Sequence, residues 1–87
     1  MASISRYEVV HPEEAYDRYD SAVRRGEAVE YDLINEEGVI HVSLTNITFA
    51  QEDDFWRLIG TTEDHRTVNI VFEQRNGDKM VAVQATM

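Results

Sequence analysis

The hydrophobic period of this chain changes at Gly26, from 3.6 residues to 2, and that switch constrains the fold more than any other feature of the sequence. Before it, Ala15, Tyr16, Tyr19, Ala22 and Val23 recur at helical spacing and predict one amphipathic helix over about residues 12–25. Pro12 suits the first turn. Glu13 and Glu14 favour the positive end of the helix, Arg24 and Arg25 the negative end, and Gly26 supplies a left-handed stop. Glu14 with Arg18 and Asp20 with Arg24 stand four residues apart in the favourable order, each pair worth about 0.2–0.5 kcal/mol.

After Gly26 everything alternates. Val29, Tyr31 and Leu33 form one face of a strand that ends at the hairpin Asn35-Glu36-Glu37-Gly38, and Ile40, Val42 and Leu44 return on the same face. Asn46 then shifts the phase towards Ile47 and Phe49, which predicts a bulge or bend there. Residues 55–61 and 67–73 read as two further strands separated by Glu63-Asp64-His65-Arg66. Asn76-Gly77 marks a tight turn into a last strand over 79–85, and an opening strand falls at 5–10.

The resulting order is strand, helix, then strands, in one domain spanning residues 1–87. This is an α+β chain with one helix packed on a four- to six-stranded antiparallel meander. A cystatin-like sheet under one helix is the natural comparison for such an order, and a strongly curved sheet closing into a small barrel is the alternative. Neither fold analogy carries function.

Composition enters as a filter on function. Seventeen acidic against eight basic side chains give a formal charge of -9, which disfavours direct binding of nucleic acid or anionic membranes, since both rely on Lys and Arg. Lys79 is the only lysine beside seven arginines, and this bias with the acid excess resembles proteins of halophiles or GC-rich genomes. The absence of cysteine excludes disulfides, thiol nucleophiles and thiolate metal sites. Neither an apolar leader nor a run of eighteen apolar residues occurs, which predicts a cytoplasmic protein; Asn46-Ile47-Thr48 is then a chance match to the glycosylation acceptor pattern.

The residues with reactive side chains do not assemble into a motif. His11, His41 and His65 have no ligand spacing between them, so no metal site is predicted. Paired carboxylates are frequent, but adjacent loop carboxylates share water and lack the separated environments that acid and base catalysis needs. Residues 51–54 lack the alternating ligands and glycine of an EF-hand loop. The serines and glycines form neither a nucleophile elbow nor a phosphate-binding loop, so no cofactor is implied and a non-enzymatic role is expected.

Two surfaces remain as candidates for recognition. The first is acidic, formed by Glu13, Glu14, Asp17 and Asp20 on the helix with Glu36, Glu37, Glu52, Asp53 and Asp54 in loops. It would steer a basic protein, or imitate nucleic-acid phosphates and so inhibit a nucleic-acid-binding protein. The second is the face of the sheet opposite the core, where Phe55, Ile59 and Val71 would meet a partner or a second copy of the chain. The expected function is thus a small acidic regulatory module that binds protein. The alternative is a ligand-binding or catalytic domain with a pocket between helix and sheet, drawing on Tyr16, Tyr19 and His41.

Overall fold

The computed structural model describes residues 5–75, 77 and 79–87. Strand β1 (Arg6–Val9) leads into helix α1 (Ala15–Arg25), followed by β2 (Val29–Asn35), β3 (Gly38–Gln51), β4 (Trp56–Thr61), β5 (Thr67–Arg75) and β6 (Lys79–Thr86). Each strand pairs antiparallel with the next, and β1 pairs with both β2 and β6, so the meander closes into a six-stranded barrel. The curved alternative therefore describes the molecule better than an open cystatin-like layer. Closure depends on a short strand that divides its pairing: Arg6 and Tyr7 face Thr86 and Ala85 of β6, while Glu8 and Val9 face Ile34 and Leu33 of β2.

The helix starts at Ala15, three residues beyond the expected point, because residues 12–14 form a turn instead. Glu14 occupies the N-cap but its side chain makes no capping bond, and the Pro12 carbonyl accepts the N–H of Ala82, which ties the turn to β6. The other end follows the expectation. Gly26 adopts φ 68°, its N–H bonds the Val23 carbonyl, and the Glu27 N–H bonds the Ala22 carbonyl, the paired bonds of a Schellman motif.

Alternation along the strands fills the barrel. Val29, Tyr31, Leu33, Leu44, Leu58, Val68, Ile70 and Phe72 are fully buried, each worth about 1.5–3 kcal/mol of removal from water. The helix adds Ala15 and Ala22, and the Tyr31 hydroxyl donates to the Ala15 carbonyl at 3.1 Å. Burial drives the Tyr31 hydroxyl well above its ordinary pKa, so it serves as a donor throughout the physiological range. Val23, expected on the apolar stripe, is instead half exposed at 51%.

Two irregularities shape the ring. β3 shifts register between Thr45 and Thr48, where Asn46 has φ 52°, as the phase change predicts. β6 shifts between the pairs Val71–Gln84 and Phe72–Ala82, so both Ala82 and Ala85 reach the core. Arg75 lies opposite Lys79 across the last hairpin, whose turn includes Gly77; Asn76, the other half of the expected turn signal, lies outside the described residues.

The strand directions give the barrel two distinct ends. Helix α1, the β3–β4 loop with Glu52, Asp53 and Asp54, and the β5–β6 hairpin share one end. The β2–β3 turn with Glu36 and Glu37, and the β4–β5 turn at 62–66, share the other.

Candidate functional site

The two ends divide the acidic residues singled out from the sequence. Glu13, Glu14, Asp17, Asp20, Glu52, Asp53 and Asp54 gather at the helix end, whereas Glu36 and Glu37 lie at the opposite end and do not join them. Ion pairing then sorts the carboxylates further. Arg18 holds Glu14, Arg24 holds Asp20, Arg25 holds Glu27, Arg57 holds Glu52, Arg66 holds Asp64, Arg75 holds Glu73 and Lys79 holds Glu13, at N···O separations of 2.9–3.6 Å.

Seven of the eight Lys and Arg side chains are thus engaged with an acid, and only Arg6 has no ion-pair partner among the described residues. Such exposed pairs add little stability, but they neutralise the local cations. Among the described residues, the carboxylates left without an ion pair include Asp17, Asp53 and Asp54 at the helix end and Glu36, Glu37 and Glu63 at the other. The residual charge of both ends is negative.

Between the helix and the outer wall of β2 and β3 runs a groove of about 600 Å³, lined by residues that include Asp17, Arg18, Glu30, Asp32 and His41. Its centre is a three-residue clamp. The pairing of β2 with β3 sets Asp32 directly opposite His41, and Glu30 stands two residues along the same face. His41 Nδ1 lies 2.7 Å from Asp32 Oδ1, and Nε2 lies 2.9 Å from Glu30 Oε1. With an acceptor on each ring nitrogen, the doubly protonated imidazolium is favoured: the Asp32 bond first and the Glu30 bond second hold His41 above its ordinary pKa. The same bond from His41 holds the Asp32 carboxyl below its ordinary value.

The β4–β5 turn is organised by Thr62, whose hydroxyl donates to the Asp64 carboxylate and accepts the Arg66 N–H at 3.0 Å. Those contacts, Thr62 ahead of Arg66, hold the Asp64 carboxyl below its ordinary pKa. His65 takes φ 65° within this turn, His11 is exposed between β1 and the helix, and His41 belongs to the clamp, so the three histidines occupy separate elements.

Tyr16 and Tyr19 do not line a common cavity with His41. They turn inward from the helix onto Phe49 and Phe72, with the Tyr19 and Phe49 rings stacked at 4.7 Å and Tyr16 edge-on to Phe72 at 6.3 Å. Burial, with Tyr16 and Asp20 nearby, raises the Tyr19 pKa. These tyrosines seal the helix against the barrel end.

Ile59 and Val71 do point away from the core, as their phase requires, and are half-buried on the outer wall. Their cross-strand neighbours there are polar: Thr48 and Asn69 for Ile59, Arg57 and Gln84 for Val71. Phe55 precedes β4 in a bend and carries the Arg57 guanidinium 5.7 Å above its ring. The large apolar side chains that are open to water lie elsewhere, with Ile34 at 39% and Val39 at 60% exposed. These two residues face each other across the β2–β3 hairpin, a pairing that counting outward from the Asn35–Gly38 turn would reveal. The same count places His41 opposite Asp32.

No protein-family model, curated protein or solved structure matches the chain.

Proposed function

We propose that the chain is a small acidic protein-interaction module that acts by occupying a basic surface of a partner protein, including one that binds nucleic acid, and so regulates or inhibits it. The observation that carries this reading is that, among the described residues, all Lys and Arg side chains but Arg6 are engaged in ion pairs, which leaves unpaired carboxylates at both barrel ends. A surface of one residual sign attracts the opposite sign, speeds encounter and repels nucleic acid and like-charged proteins. The partner is therefore sought among basic proteins.

We read the role as non-catalytic. The closest approach to an acid–base constellation among the described residues, His41 with Asp32 and Glu30, has both imidazole nitrogens engaged and stands half exposed to water, so it offers neither a free ring nitrogen nor a dry substrate site.

Asp53 and Asp54 make the cleanest test, because both are exposed and neither is in an ion pair with a described residue. Replacing both with lysine should leave the circular dichroism spectrum and melting cooperativity unchanged while slowing association with the basic partner about tenfold at low salt and flattening its salt dependence. Unaltered association kinetics would exclude the helix end as the binding surface.

A further inference from the structure

Among the described residues, the first half of β3 is paired on one side only. Residues 38–44 pair with β2, while pairing with β4 begins at Thr45 opposite Thr61. Alternate residues of this half turn their backbone donors and acceptors away from β2, and no backbone bond from a described residue meets them there. Natural strand edges are ordinarily guarded by charge or proline. Here β3, GVIHVSLTNITFAQ, contains no Lys, Arg, Asp, Glu or Pro along its fourteen residues, although 29% of the whole chain is charged, and its one ionisable side chain, His41, is turned back onto Asp32 and Glu30 of β2.

Space for an added strand is present beside this edge. A groove of about 400 Å³ is lined by Glu30 of β2, by His41, Val42 and Ser43 of β3 and by Thr62, Glu63, Asp64 and Arg66 of the β4–β5 turn, where Asp64 holds the Arg66 guanidinium and leaves Glu63 as the free charge. Near the hairpin tip, exposed Val39 of β3 provides apolar surface for an alternating side chain.

The charges around the edge select its occupant. Glu36 and Glu37 stand at the hairpin tip and Glu63 in the β4–β5 turn, at the two limits of the unpaired stretch, and none is in an ion pair with a described residue. A second copy pairing antiparallel through the same edge would bring the tip carboxylates of each chain onto the turn carboxylates of the other, which is unfavourable. An extended segment with an uncharged, β-branched centre and Lys or Arg at both ends meets complementary charge instead.

We propose that the open edge of β3 is a strand-addition site for such an extended basic segment of a partner protein, a proposal that rests on the acidic-module reading and locates one contact of it. Main-chain hydrogen bonds along residues 38–44 supply the affinity, and the carboxylates at the two limits select basic flanks.

The test uses the full chain and a synthetic peptide with paired lysines at both ends and alternating valine and threonine between them. Binding should slow hydrogen exchange at alternate amides within residues 38–44. N-methylation of the peptide along one edge should weaken binding at least about tenfold, and Glu63→Lys should weaken the unmethylated peptide by about tenfold. Salt-sensitive binding that leaves exchange within 38–44 unchanged overturns the edge assignment while the acidic reading stands. Absence of binding overturns it as well, as does protection of the same amides in the concentrated chain alone together with a dimer mass by light scattering, which would make a second copy the occupant. Failure of the acidic reading itself is read separately, from the Asp53 and Asp54 kinetics.

Discussion

His41 shows how much chemistry a single cross-strand register can create. Its imidazolium is held by Asp32 and Glu30 only in the folded chain, so the protonated form stabilises the fold below the ordinary value of 6.5. That contribution is lost as the pH rises through the higher value His41 takes in the fold. Asp32 has the opposite sense: its contribution is present above the ordinary 3.8 and is lost as the pH falls through its lowered folded value. The clamp is therefore intact in weakly acidic solution, between the ordinary values of the two groups. Nuclear magnetic resonance should give His41 a titration midpoint above 6.5 that falls in Asp32→Asn, and denaturant midpoints taken at about pH 6 and about pH 8 should converge in His41→Asn. An unchanged midpoint in Asp32→Asn would contradict the clamp. Gly60 makes a second residue-scale case, since a Cβ added there would lie 2.8 Å from Leu44 Cβ inside the barrel. Gly60→Ala should cost about 1–3 kcal/mol by denaturant unfolding, and a neutral effect would show that β3 and β4 can separate freely. The sequence pattern placed Gly60 on a strand but could not show this approach, because it depends on which residue of β3 the curved sheet brings alongside.

At the scale of elements, the helix and the hairpins were legible because their signals are local. The ion pairs of Arg18 with Glu14 and Arg24 with Asp20 form as their four-residue spacing requires, and the bend at Asn46 appears where the phase changes. The helix start was less legible. Proline near the first turn announces a helix, but the segment 12–14 is drawn into a separate turn by the bond from Ala82 to Pro12, a contact from the far end of the chain. The termination at Gly26 rests on φ 68°, which an alanine adopts only at a cost. Gly26→Ala should lower stability by about 1 kcal/mol with the helix end frayed, seen as faster amide exchange at Gly26 and Glu27 in the wild-type numbering. Unchanged stability would mean that packing of the helix on β2 and β6, rather than its cap, fixes this end.

The closure of the whole molecule was the least legible feature. An alternating pattern states which side chains point inward, and it did so for Val29, Tyr31, Leu33, Leu44, Leu58, Val68, Ile70 and Phe72, all fully buried. It does not state whether the first strand will meet the last. That pairing of Arg6 and Tyr7 with Thr86 and Ala85 joins residues nearly the full chain apart, and it turns Ile59 and Val71 from one face of a sheet into the outer wall of a barrel. It also separates Glu36 and Glu37 from the acidic helix end, which no count along the sequence could reveal. The acid excess itself was plain from composition, whereas the engagement of nearly every cation in an ion pair required the fold. Whether the chain occupies a basic protein surface is decided by affinity capture with the tagged chain from its host lysate, eluted at low and at high salt and identified by mass spectrometry. A stoichiometric basic protein should be retained at low salt, released at high salt, and lost when Asp53 and Asp54 are both lysine. Retention of the same proteins at both salt concentrations, or of the chain alone, would contradict that occupancy.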